Sequence, residues 1–397
     1  MISVTKLLFS TEYFGDCLRY NQASRAARNG VTTEDGPVVV WNCTRTCNLL
    51  CRHCYMDSDS RQYQGELSTE EAKKFIADLA EFRVPVLLFS GGEPLMRADI
   101  FELGAYAKSL GIRPTISTNG TLISVDVARK IRYLGVGYVG ISLDGLRKTN
   151  DLFRGKKGAF QAAMEGIRNC VEAGQRVGLR FTINRHNLQD LDRIFDFIEE
   201  EKIDRVCFYH LVYSGRGHNI MGEDVTREES RQAMDIIIQR ARDFEQRGLK
   251  KEILTVDNHC DGVYLYLKAL EDDPVQAEKI KKLISLNGGN RSGIAFAAVD
   301  HLGNVHPDQF TQYYIFGNVK EKRFGEIWSD LKNPILAGLK DRKLLLKGRC
   351  AQCRYLDNCN GNFRTRAEAI TGDFWESDPS CYLTDEEIGL NNLHKGE

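Results

Sequence analysis

From residue 38 onward, short apolar, β-branched runs alternate with amphipathic stretches of helical period, and this alternation leaves few folds open. The strand-like runs cover residues 38–41, 84–89, 114–117, 138–143, 177–183 and 205–210. The clearest helical stretch between them is opened by Ser68 and Glu71, a Ser-x-x-Glu capping box that predicts a helix running to about Phe82. Others cover residues 100–110, 125–134, 159–173 and 188–201. Short connections between strand and helix force a parallel sheet, because each crossover starts the next strand in the same direction. Six such units, where a closed barrel has eight, imply an incomplete α/β barrel, and ligands of parallel α/β folds bind at the carboxyl ends of the strands.

Those ends carry chemistry. Cys47-Asn-Leu-Leu-Cys51-Arg-His-Cys54 follows the first run, Ser90-Gly91-Gly92-Glu93-Pro94 the second, Ser117-Thr118-Asn119-Gly120 the third and Ser142-Leu143-Asp144-Gly145 the fourth. Asn184-Arg185-His186-Asn187 follows the fifth, and Tyr209-His210 closes the sixth. Gly, Asn, Asp and Ser are ordinary turn residues, and what marks a ligand ring is their coincidence with the cysteine loop. Three thiolates spaced C-x3-C-x2-C can hold three irons of a four-iron cluster and leave the fourth iron open. A zinc site or unpaired buried thiols are the plainer readings, although structural zinc wants four protein ligands and no fourth follows nearby.

Fifty-four Lys and Arg against fifty-five Asp and Glu leave a formal charge of -1, so no global field recruits nucleic acid or an anionic membrane. No apolar run approaches the roughly 20 residues that span a bilayer, and the first residues lack a signal-peptide cleavage pattern. The twelve cysteines, grouped in part at C-x2-C spacing, therefore point to metal binding in a reducing cytoplasm rather than to disulfides. With 397 residues the chain exceeds the usual single-core size. Residues 1–36 read as a supporting extension or lid, 37–223 as the barrel core, 224–300 as a largely helical region completing it, and 301–397 as a small C-terminal domain. The helical region carries helices at 226–247 and 274–286 and a strand-like run at 294–299, and the C-terminal part a helix at 324–331. Cys350, Cys353, Cys359 and Cys381 form a second group that can close a full coordination shell, and a zinc ribbon fits their spacing.

The cysteine loop, Gly91-Gly92-Glu93-Pro94 after the next strand, and the six-unit chain together resemble the radical S-adenosylmethionine (SAM) enzymes over about residues 38 to 215. The resemblance implies a SAM-binding [4Fe-4S] cluster on Cys47, Cys51 and Cys54, and a 5'-deoxyadenosyl radical that takes a hydrogen atom from the substrate. It also implies that His53 packs beside the adenine, that Gly91, Gly92 and Glu93 meet the methionine amino group, and that Ser117, Asn119, Ser142 and Asp144 serve the methionine carboxylate and ribose. The C-terminal part resembles the SPASM extension, which in full form carries two auxiliary clusters. Cys350, Cys353, Cys359 and Cys381 match the ligands of the outer one. The pattern's further clustered cysteine falls at Phe363 and the inner cluster's cysteine at Asp308, so one auxiliary [4Fe-4S] cluster is expected, with His306 or Asp308 left as unusual ligands. Cys17, Cys43, Cys170, Cys207 and Cys260 then read as buried thiols.

Nearly the whole chain is similar to the tetrapyrrole-trimming family that includes the didecarboxysiroheme deacetylases of the alternative heme pathway and their heme-d-forming relatives. Trp41-Asn42, Cys207-Phe208-Tyr209-His210-Leu211-Val212, Thr255-Val256-Asp257-Asn258-His259, His306-Pro307-Asp308-Gln309-Phe310 and Cys359-Asn360-Gly361-Asn362-Phe363-Arg364 carry this likeness. The family implies removal of acetate side chains from 12,18-didecarboxysiroheme to give Fe-coproporphyrin III; its heme-d-forming branch removes propionates instead. The expected chemistry is hydrogen abstraction beside an acetate-bearing ring carbon, then carbon–carbon cleavage, with an electron from the auxiliary cluster and a proton from Tyr209 or His210. Arg154, Arg185 and Arg216 are the candidate partners of substrate carboxylates, and a flavodoxin or ferredoxin the expected electron donor. Two rivals stand beside this: SPASM-type peptide modification, for which a 36-residue leader is short, and a non-catalytic electron-transfer or zinc-binding protein.

Overall fold

A computed structural model describes residues 1–20 and 36–390. All six expected strands form, as β2 (Val38–Thr44), β3 (Val86–Gly91), β4 (Arg113–Thr118), β5 (Val139–Ser142), β6 (Val177–Ile183) and β7 (Arg205–His210). The expected run at 294–299 forms β9 (Phe296–Val299), and the chain adds β1 (Ile2–Ser3), β8 (Glu252–Val256), β10 (Asn304–His306) and β11 (Gly317–Asn318). One sheet contains them all, in the order β1-β8-β7-β6-β5-β4-β3-β2-β9-β10-β11. The parallel stretch is therefore two strands longer than the six read from sequence: β8 joins beyond β7, and β9 joins beyond β2. Antiparallel β1 closes one edge, and antiparallel β10 and β11 close the other.

Each parallel strand sorts its residues by alternation. Val39, Trp41, Leu87 and Phe89 face outward and are buried with Phe75, Ile76 and Leu79 of helix Thr69–Glu81. Ile116, Val139, Ile141, Leu179, Phe181, Val206 and Phe208 do the same against the remaining helices. Full burial of each such side chain is worth about 1.5–3 kcal/mol, so this outer layer carries the stability of the fold. The opposite faces of β2, β3, β4, β6, β7, β8 and β9 all line one interior cavity, so the sheet curls into an open barrel. The capping box at Ser68 forms as expected, with the Ser68 hydroxyl accepting from the Glu71 N–H and the Glu71 carboxylate from the Ser68 N–H. Thr226 and Glu229 repeat the device at the start of helix Arg227–Gln246.

The described part of the N-terminal segment is built into the edge of the sheet. Ile2 pairs with Thr255, the Ser3 N–H donates to the Tyr20 hydroxyl at 2.8 Å, and Arg19 reaches the buried Glu252 at 2.8 Å. Residues 21–35, part of the expected lid, lie outside the described residues.

Past β9, short helices wrap the barrel mouth. Arg366, on helix Arg364–Thr371, is fully buried and pairs with the fully buried Asp378 at 2.7 Å. The same guanidinium donates to the carbonyls of Leu211 at 3.1 Å and Asp257 at 2.6 Å, the residues just after β7 and β8. Among the described residues no helix is long and apolar enough to cross a membrane.

Candidate functional site

The cysteine loop leaves β2 and folds over the carboxyl ends of the strands, where Cys47, Cys51 and Cys54 line a single cleft. All three are free thiols, and Cys47 and Cys51 are buried. Each sulfur has a donor aimed at it: Asn119 Nδ2 lies 3.9 Å from Cys47 Sγ, Arg154 Nη1 3.6 Å from Cys51 Sγ, and the Ser58 N–H 3.4 Å from Cys54 Sγ. Donors converging on sulfur suit metal-bound thiolates, whose charge they share. Among the described residues no three His, Cys, Asp or Glu side chains close on a point as ligands of one metal ion do. The three thiols line one wall of the cleft.

The loop is held to its neighbours by backbone. Leu50 and Arg52 N–H groups donate to the carbonyls of Arg154 and Phe153, Glu93 N–H donates to Thr46, and Arg216 N–H donates to Cys54. Such close approach excludes side chains. A Cβ on Gly92 would stand 2.3 Å from the Thr46 carbonyl oxygen, and one on Gly155, which also needs φ +67°, 2.3 Å from that of Leu50. Gly155→Ala therefore combines a clash with left-handed strain of about 1–3 kcal/mol. It is expected to lower iron retention at the first cluster while leaving far-UV circular dichroism intact; unchanged iron content would refute the packing role.

Gly91, Gly92, Ser117, Asn119, Ser142 and His53 join the cysteines in the cleft wall. His53 stacks on Phe153, ring centres 4.7 Å apart, and burial lowers it to about 4, so the ring is neutral. The other two expected SAM contacts turn away from the cleft. Glu93 is fully buried, its carboxylate accepting from Thr118 Oγ1 at 2.7 Å and the Asn119 N–H at 2.8 Å, and burial raises it to about 6. It ties the end of β3 to the end of β4 and so sets the cleft's shape indirectly. Asp144 is fully buried as well, 2.5 Å from Arg154 and 3.4 Å from His53 Nε2.

Of the three arginines expected at substrate carboxylates, Arg154 and Arg216 line the cleft and Arg185 does not. Arg154 spans Asp144 and Cys51, and Arg216 donates to the carbonyls of Cys51 at 2.7 Å and Ser58 at 3.0 Å, so both brace the cysteine loop. Arg185, partly exposed, pairs with Glu229 at 3.1 Å and lies outside the cleft wall. Arg180 on β6 was not foreseen. It lines the cleft and the interior cavity together, donating to Ser117 Oγ at 2.6 Å with its guanidinium 4.8 Å from the centre of the Tyr209 ring.

Tyr209 and His210 are neighbours on β7 and so face opposite sides of the sheet. Tyr209 points into the interior cavity, where burial keeps its hydroxyl protonated. His210 lines the cysteine cleft, with Nε2 3.1 Å from Asp261 and its ring parallel to Tyr382. Burial works against its charged form, but the Asp261 carboxylate outweighs this and raises its affinity for a proton. Asp257, after β8, lines both spaces; burial raises it to about 6, and its Oδ2 has no hydrogen-bond partner among the described residues.

Cys350, Cys353, Cys359 and Cys381 line a second, separate cavity, half-buried and free, with the Tyr355 N–H 3.4 Å from Cys353 Sγ. Cys260 lines it too, so this thiol sits beside the four rather than in a remote core. Cys43, Cys170, Cys207 and Cys260 are buried as expected, but Cys17 is exposed, its Sγ donating to the Phe14 carbonyl at 3.0 Å on the short helix Asp16–Arg19. Asp308 Oδ1 accepts from the N–H groups of Phe310 and Thr311 at 2.8 Å and from Thr311 Oγ1 at 2.9 Å. His306 bridges the Tyr314 carbonyl and Asp300. Both residues, left as possible unusual ligands by the resemblance, thus have structural partners.

Comparison with known proteins agrees with this geometry. The Radical SAM superfamily profile matches residues 41–198. The chain is 54% identical over 395 residues to Fe-coproporphyrin III synthase of Methanosarcina barkeri, covering 98% of this chain and 99% of that protein. It is 41% identical over 384 residues to pre-heme d1 synthase of Dinoroseobacter shibae, covering 96% and 94%. The solved structure of Streptococcus suis SuiB bound to S-adenosylmethionine superposes with a TM-score of 0.71 at 18% identity, over 91% of this chain and 80% of that one, a likeness of fold alone.

Proposed function

Since the chain belongs to the radical SAM superfamily, we propose that it is a heme-biosynthesis enzyme that removes acetate side chains from 12,18-didecarboxysiroheme to form Fe-coproporphyrin III. The likeness to Fe-coproporphyrin III synthase, spanning both chains almost end to end, is the observation that carries this reading.

Cys47, Cys51 and Cys54 would hold a [4Fe-4S] cluster with SAM in the adjoining cleft, supplying a 5'-deoxyadenosyl radical that takes a hydrogen atom from the substrate. The chain's own part is placement. Gly91 and Gly92 let ligand atoms come close to backbone, Ser117, Asn119 and Ser142 offer polar contacts, and the neutral His53 presents a flat ring. Arg154 and Arg216 hold the thiol loop in register. After the side chain leaves, a proton is needed, and Tyr209, facing the cavity with its hydroxyl protonated, is placed to give it. His210, in the cleft wall and paired with Asp261, is the alternative donor.

Cys350, Cys353, Cys359 and Cys381 would hold one auxiliary [4Fe-4S] cluster that passes electrons from a small redox protein such as ferredoxin or flavodoxin. Their free thiols fit a reduced cytoplasmic protein.

The test is product mass. Anaerobically reconstituted and reduced protein, given SAM and 12,18-didecarboxysiroheme, is expected to release a tetrapyrrole lighter by two acetate groups, with 5'-deoxyadenosine formed alongside. The likeness to pre-heme d1 synthase supports a second reading, propionate removal in heme d1 formation. An unchanged didecarboxysiroheme beside active SAM cleavage would reject acetate removal and favour that reading.

A further inference from the structure

Parallel strands usually fill a barrel interior with Val, Ile and Leu. Here the interior cavity, about 300 Å³, divides by strand. On the β3, β2 and β9 side it is walled by Val86, Leu88, Val38 and Phe296. On the β4, β6 and β7 side it is walled by arginines, Arg113, Arg176, Arg180 and Arg205. An uncompensated guanidinium in a barrel interior is costly, so each needs a partner.

Two of the four find one. Glu252 takes Arg176 at 2.7 Å and Arg205 at 3.7 Å, besides Arg19. The other two have no carboxylate within ion-pair distance among the described residues. Arg113 lies 3.6 Å from the centre of the Phe14 ring and makes a long hydrogen bond, 3.4 Å, to the Gly137 carbonyl. Among the described residues the Arg180 guanidinium meets Ser117 Oγ and the Tyr209 ring. Two acids face the cavity, Asp308, whose Oδ1 accepts within its own turn, and Asp257, and among the described residues neither lies within ion-pair distance of Arg113 or Arg180. The cavity thus has one apolar wall and one wall with surplus positive charge.

We propose that Arg113 and Arg180 pair with carboxylates on the rim of the iron tetrapyrrole, whose flat ring lies on the apolar wall of Val38, Val86, Leu88 and Phe296. Arg180, shared between cavity and cysteine cleft, holds the carboxylate nearest the reacting position; Arg113 holds one deeper in the barrel. This rests on the tetrapyrrole reading and adds Arg113 and Arg180 to the arginines already in the cleft wall, Arg154 and Arg216. Guanidinium and carboxylate match as planar forks, which fixes the orientation of the ring as well as its affinity.

The test titrates the reconstituted full chain with Fe-coproporphyrin III and with its fully methyl-esterified counterpart, following the visible absorption of the iron tetrapyrrole. The wild type is expected to prefer the free acid by about a hundredfold, as two charge-assisted pairs imply. R180Q and R113Q should each reduce that preference about tenfold while ester binding holds, and R180K should restore part of it. An undiminished preference in both variants overturns the assignment but leaves the tetrapyrrole reading standing. Equal loss of acid and ester in both variants also overturns it, because the cavity rather than a charge pair has then been lost. A wild type that binds neither compound and leaves didecarboxysiroheme unchanged overturns the reading and the assignment together.

Discussion

Cys51→Ala protein, reconstituted without oxygen, is expected to cleave no SAM and to hold about four irons against about eight expected for the wild type with both proposed clusters. Cys51 is the buried middle thiol of the loop, and Arg154 donates to its sulfur. Alanine removes one of three ligands and leaves that guanidinium facing an empty position. Cys353→Ala should give the complementary result: about four irons again, but SAM cleavage retained, with acetate removal falling at least tenfold because no local electron source remains. Its thiol lies in the separate cavity with Cys350, Cys359 and Cys381. Iron and sulfide analysis with assays for 5'-deoxyadenosine and tetrapyrrole product reads both variants. Zinc in place of iron at either site, with no sulfide, would refute the cluster assignment there.

The second large effect concerns stability. Arg366→Met is expected to destabilise the protein by about 3–5 kcal/mol, the usual result of breaking a fully buried ion pair from one side. Asp378 would be left charged and buried, and the carbonyls of Leu211 and Asp257 would lose their donor. Asp378→Asn, which keeps the shape and some hydrogen bonds, should cost less. Urea unfolding followed by circular dichroism at fixed cluster loading measures both. A midpoint unchanged in Arg366→Met would show that the pair contributes nothing net. The linkage joins helix Arg364–Thr371, between the third and fourth cysteines of the second group, to the ends of two barrel strands. Loosening it should therefore also slow any reaction that needs both sites.

What could be read from sequence follows the range over which each signal acts. The capping boxes at Ser68 and Thr226 are local, and the helices they open begin where expected. The six central strands are apolar on at least one face, and each formed. β8 was missed because its first residue is an acid, which argues against a buried strand until the partners of Glu252 are seen: Arg19 and Arg176, both remote in sequence. The cysteine groups were legible because ligand spacing is itself a geometric statement. Glu93 and Asp144 were harder: the motif marks the residue but not which way its side chain turns, and both turned inward to bind neighbouring loops. Arg180 was legible in principle. Val177, Leu179, Phe181 and Ile183 form one apolar row of β6, so the arginine between them must face the other way. Reading loops as the only source of ligands directed attention to Arg185 instead.

The pairing of Ile2 with Thr255 also bears on how the chain is made. A ribosome releases roughly 5–20 residues per second, so the first strand waits on the order of ten to fifty seconds for its partner to be synthesised. Over the last roughly two to eight seconds of that interval β7 is the outermost strand on that side, and its far edge is open to pairing with other nascent chains. The arrival of β8 brings Glu252 to Arg19 and Arg176 and lets β1 dock, so one late event covers the open edge and neutralises buried charge together. Chaperone dependence during synthesis should accordingly be concentrated before this step and fall sharply after it.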